Sequence, residues 1–123
     1  MAVTYTNAVK DARLTAVVTA IGGTGVLEIG TTGMASILAT ISLNATAGTA
    51  SGGVLTFSGF PKSDTSADNT GTAAAARIRT ATAGTDIVTG LTVGTSGSDI
   101  NLDSTSITAG QTVTINSATI THA

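Results

Sequence analysis

The stretch "TVTINSATITH", residues 112–122, decides what kind of fold this chain adopts. Val113 and Ile115 alternate with threonines, as a half-buried strand requires, because successive side chains point to opposite faces. After Asn116-Ser117 the apolar positions become Ala118 and Ile120, so the parity flips from odd to even. One extra residue at Asn116-Ser117, a β-bulge, would return both halves to the same face. The stretch therefore predicts a long strand bent at its middle.

Just upstream, "TAGQ" separates residues 105–108 from residues 112–120. Ala109-Gly110 suits a tight hairpin turn in which Gly110 accepts a positive φ. Before that, "SGSDINLDSTSI" places Asp99, Asn101 and Asp103 at every second position. Oxygen side chains so spaced also open calcium loops. The EF-hand pattern, however, needs Gly at the sixth position and Glu at the twelfth, where this chain has Ser104 and Gly110. The plainer expectation is a strand with those three side chains on one face and Ile100 and Leu102 on the other.

The same grammar runs back through most of the chain. "VLEIG" gives a strand from Val26 to Ile29, and "SILATISL" alternates Ile37, Ala39, Ile41 and Leu43 against Leu38, Thr40 and Ser42. Val54 to Ser58 follow a Gly-Gly turn, Thr72 to Arg79 read as strand in spite of their alanines, and "DIVTGLTV" as another. Pro61 to Gly71, "PKSDTSADNTG", reads as an exposed loop. One segment departs from period 2. From Asn7 to Ile21, Leu14, Val17, Val18 and Ile21 fall at helical spacing, with Thr6 or Asn7 as N-cap and Gly22-Gly23 as a stop. The expectation is a mainly β chain: an antiparallel, jelly-roll-like β-sandwich over residues 26–121, preceded by one N-terminal helix at 7–21 and an arm at 1–6. The length of 123 residues gives room for one domain.

Composition narrows the function. Tyr5, Phe57 and Phe60 are the aromatics, so the core is expected to be thin and aliphatic. Charged residues are 10% of the chain, against about a quarter in an ordinary soluble domain. A surface made of Thr, Ser, Ala and Gly is poorly defended against association, which points to packing against copies of itself or a partner. Lys10, Arg13, Lys62, Arg77 and Arg79 form no basic stripe, so nucleic acid is not an expected partner. Without cysteine there are no disulfides and no thiol chemistry. Residues 1–14 are polar, predicting no secretory leader, and nothing reaches the length of a membrane span.

Candidate chemistry is sparse. His122 stands next to the chain end, where a base is seldom held in place. "GTSGS" misses the nucleophile-elbow pattern at its last position, and "GGTGVLEIG" precedes a strand without the Lys-Ser/Thr of a phosphate loop. Glu28 and the aspartates could pair for glycoside hydrolysis, but three aromatics make no sugar-stacking surface. Neither an enzymatic activity, a cofactor nor a metal is expected.

The phrases "FPKSDTSADNTGTAAAARIR" and "DIVTGLTVGTSGSDINLDSTSITAGQTVTINSATITHA" resemble small structural proteins of tailed bacteriophages and prophages. So do "YTNAVKDARLTAVVTAI" and "LEIGTTGMASILATISL", and the likeness spans nearly the whole chain. Within that group the chain looks like a head decoration (cement) protein. The resemblance implies a trimer seated on the major capsid protein at the virion surface, assembled in the bacterial cytoplasm, with no catalytic residues. A tail or fibre module binding carbohydrate is the alternative. Exposure selects the expected partner contacts: Met1, Ala2, Val3, Thr4 and Tyr5 of the arm, and Phe60, Pro61, Lys62, Asp64 and Asp68 of the loop.

Overall fold

A computed structural model describes residues 4–121. Among the described residues, helix α1 (Asn7–Ile21) is followed by eleven strands. Thr6 is the N-cap, its Oγ1 accepting from the Val9 N–H at 3.4 Å. The helix stops at Gly22, whose φ of 75° is open to glycine and whose N–H donates to the Val18 carbonyl. Leu14 and Ile21 bury its inner face.

The strands are β1 (Val26–Gly30), β2 (Ile37–Ser42), β3 (Gly48–Ser51), β4 (Val54–Phe57), β5 (Lys62–Asp64) and β6 (Gly71–Thr72). They continue with β7 (Ala75–Arg79), β8 (Asp86–Gly94), β9 (Ile100–Leu102), β10 (Ser106–Ile107) and β11 (Val113–Thr121). One nine-stranded sheet runs β2-β1-β7-β8-β9-β11-β4-β3, with β5 attached to β11, while β6 and β10 pair separately. The sheet curls, so that β5 on β11 also touches β2 at the sheet's far end. Inside lie aliphatic side chains, among them Leu27, Ile29, Leu55, Ile78, Ile100 and Ile115, with Phe57 as the one buried ring among the described residues.

The bulge expected from residues 112–122 is present. Ile115 faces Leu102 and Ser117 faces Asn101, so Asn116 is the extra residue on β11. Val113, Ile115 and Ala118 are all buried. The bend also lets one strand serve two neighbours on the same side: before it β11 pairs with β5, and beyond it with β4. Thr72 to Arg79 is extended as expected, divided between β6 and β7.

Three expectations need correction. The chain is mainly β with an N-terminal helix, but the sheet is not purely antiparallel: it is a curled, mixed sheet, because β8 and β9 run parallel. The physical reason is the turn at residues 95–99, which brings the chain back beside itself. Its neck is closed by two bonds: the Thr92 N–H donates to Asp99 Oδ2 and the Asp99 N–H to Thr92 Oγ1, both at 3.0 Å. Second, the turn at Ala109-Gly110 exists, with Gly110 at φ 86° and the Gln111 N–H donating to the Thr108 carbonyl. It joins no hairpin, since β10 pairs with β6 instead of β11. Third, residues 61–71 are no plain loop. They contain β5, and Ala67 within them is buried.

Candidate functional site

The segment expected to contact a partner is built on the end of the sheet. β5 pairs with β11 through Val113–Asp64, Thr114–Ser63 and Ile115–Lys62, and this fixes Lys62 and Asp64 on one side of the strand. Asp64 then reaches across to β2. Its Oδ2 accepts from the Thr40 N–H and its Oδ1 from the Ser66 N–H, both at 3.0 Å. Further along, the Asp68 N–H donates to the Leu38 carbonyl at 2.8 Å, and Asn69 Nδ2 donates to the Ile37 carbonyl at 2.7 Å. Residues 61–71 thus form a strap whose polar groups take the place of a further strand beside β2.

Between strap and sheet lies an open groove of about 330 Å³, with residues 40–42 on one wall and 62–65 on the other. Lys62 stands at this groove, its Nζ donating to Asn44 Oδ1 at 2.7 Å and lying 6.0 Å from the centre of the Phe60 ring. Phe60 packs against the core, whereas Pro61 and Asp68 are exposed. So the loop candidates come together along one edge, but Asp64 is committed to backbone donors and Phe60 to the interior. In the arm, Thr4 and Tyr5 are exposed, and the Arg13 guanidinium stacks over the Tyr5 ring at 4.8 Å. Met1, Ala2 and Val3 lie outside the described residues, as does His122.

The Asp99, Asn101 and Asp103 series is occupied by its own surroundings. Asp99 closes the neck of the 95–99 turn, and Asn101 Oδ1 accepts from the Ser98 N–H at 3.1 Å. Asn101 Nδ2 donates to Ser117 Oγ at 3.0 Å, and Asn116 Nδ2 donates to Asp103 Oδ1 at 2.8 Å. The two last contacts clamp both residues of the β11 bulge. Among the described residues no group of three or more His, Cys, Asp or Glu side chains is placed to hold a metal ion.

Sequence reasoning missed one feature, an ion-pair cluster spanning β1, β7 and β8. Glu28 is 4% exposed and is the buried charge of the sheet. Arg77 Nε lies 2.7 Å from its Oε1 and Arg79 Nη1 3.7 Å from the same atom. Arg79 Nε sits 2.8 Å from Asp86 Oδ1, close enough for charge attraction but at an angle that makes no hydrogen bond. Two positive and two negative groups cancel here, so the cluster is not an anion site. Its signal was the period-2 pair Arg77 and Arg79 on one strand face, which becomes meaningful only once Glu28 is known to face Arg77. That pairing joins residues 49 apart.

No protein-family model, curated protein or solved structure matches this chain. No helix among the described residues is long and apolar enough to cross a membrane.

Proposed function

We propose that the chain is a virion structural protein, a head decoration (cement) protein of a tailed phage that binds the outer face of the major capsid protein and bridges capsomers. The observation that carries this reading is how the charged side chains are used. Glu28, Arg77, Arg79 and Asp86 neutralise one another, and Asp11, Asp64 and Asp99 cap backbone N–H groups of the same chain. What remains outward is largely small and uncharged, as at Thr49, Ser51, Thr56 and Thr92. Such a surface suits close packing in a lattice better than it suits a free, self-repelling monomer. The resemblance of residues 60–123 to phage structural proteins supports the same reading.

The mechanism is mechanical. Each copy holds neighbouring capsomers together, so its contacts must be lost before the shell can open under the pressure of a packaged genome. Contacts too weak to hold one copy add up across a symmetric lattice. We take the oligomer to be a trimer, and the strap edge, with Lys62 and Asp68, to be the side nearest capsid or neighbour. For the architecture we propose a distorted jelly-roll-like sandwich, on the support of a sheet curled about a single cluster of buried residues. The test is to add purified protein to undecorated phage heads and sediment them. Saturable pelleting is expected. Protein that stays in the supernatant at saturating amounts would refute the role.

A further inference from the structure

We infer that residues 61–71 are an edge guard: they occupy the outer side of β2, and when they are withdrawn β2 pairs with β2 of a second copy of this chain. β2 is a terminal strand of the sheet. Its residues, "ILATIS", include no charge, no Pro and no Gly, and they favour extended structure. Edge strands commonly protect themselves with Lys, Pro or a bulge, and an uncharged six-residue strand without them is a template for its own kind. β2 has neither charge nor Pro; its one irregularity is a register shift on β1 that leaves Leu38 as an extra residue, and from Ala39 to Ser42 the strand is regular and unprotected by its own side chains. The protection comes from the strap.

The geometry shows where. In an antiparallel pair, every second residue turns its N–H and C=O away from the partner strand. Thr40 does so, since its N–H is spent on Asp64, and Leu38, two residues before it, is bonded outward to Asp68. Ser42 is next in that series. There the strap's cover ends at the groove, and the Thr40 carbonyl and Ser42 N–H have no hydrogen-bond partner among the described residues. Edge pairing is thus already available at one end of β2.

The occupant follows from charge. Asp64 and Asp68 belong to the strap and leave with it, while Glu28, opposite Thr40 on β1, is buried and neutralised by Arg77, so the bared strand is neutral and matches a neutral strand. A net charge of −2 on the whole chain offers little repulsion between copies. The guard does not depend on the capsid role, and it holds for a chain with any surface function.

The test compares the parent protein with D64A/N69A, which removes both side-chain staples. At low concentration the variant is expected to keep the parent's β signal and mass. Its Thr40 amide should exchange with solvent roughly tenfold faster. As concentration rises, it should form species larger than any the parent forms, seen by sedimentation velocity. Adding T40P should abolish those species, because proline supplies no N–H to a new strand while the β1 side of Thr40 loses nothing. The single variants D64A and N69A should behave alike in kind and more weakly. The inference is overturned if the double variant shows faster exchange at Thr40 without new association, or if association survives T40P. Loss of the β signal at low concentration would also overturn it, since the strap would then hold the fold and not the edge.

Discussion

β2 and β3 are the two terminal strands of one sheet, yet β2 is flanked by the polar strap 61–71 and β3 by helix α1. Beside β2, Asp64 accepts from the Thr40 N–H, while the Asp68 N–H and Asn69 Nδ2 donate to the Leu38 and Ile37 carbonyls. Beside β3 and β4 the helix brings Leu14 and Ile21, both almost wholly buried, and a single polar tie in which the Gly53 N–H donates to Asp11 Oδ1 at 2.8 Å. That tie holds the two-residue turn of the β3–β4 hairpin, where Gly52 and Gly53 have φ of 61° and 80° as a type I′ turn requires. The difference teaches what each device does. An apolar cover contributes stability in proportion to area, whereas a polar cover mainly determines which backbone groups stay available.

The largest expected effect lies on the helix side. Leu14→Ala should lower unfolding free energy by about 3 kcal/mol, read from urea denaturation, because it removes a buried side chain and leaves a cavity. A loss below about 1 kcal/mol would mean that the helix is not anchored as described. On the strap side, Asp64→Ala should cost about 1–2 kcal/mol, since the Thr40 and Ser66 N–H groups lose their acceptor but can partly be solvated. Asp64→Asn keeps one of the two acceptor oxygens and turns an amide NH2 toward the other backbone donor, so it too should be destabilising. An alanine variant as stable as the parent would show that capping these two N–H groups is not what Asp64 supplies.

Smaller effects separate the devices further. Asp11→Ala should cost about 1 kcal/mol and speed amide exchange at Gly53 without changing exchange at Thr40. Were both edges to loosen together, the contrast between them would fail. Thr6→Ala should cost about 0.5 kcal/mol, at the low end for an N-cap because its bond to the Val9 N–H is long. Circular dichroism at rising temperature would register that loss in the helix signal.

Much of this architecture was legible from local pattern. The helix limits follow from Thr6, the apolar spacing and Gly22, and the bulge follows from the parity change between Ile115 and Ala118. Pairing across long separations was not legible. Nothing near Arg77 in sequence announces Glu28, and nothing near Thr112 tells β11 to refuse β10 and accept β5. The parallel β8–β9 pair was hidden for a different reason. Asp99 looked like a surface residue or a calcium ligand, and its bonds with Thr92 depend on a turn whose shape they themselves maintain. For the candidate site, the turn-rich composition of residues 61–71 agrees with the exposure of Pro61 and Asp68, but it could not tell that Asp64 is spent on β2 or that Phe60 packs inward.

The central claim, that this chain acts by contact between copies and capsid, is tested most directly by electron cryomicroscopy of phage heads saturated with the purified protein. Ordered density on the outer surface, with each three-fold group of copies spanning neighbouring capsomers, is the predicted result. Heads that remain bare, or density without a fixed position on the shell, would contradict it.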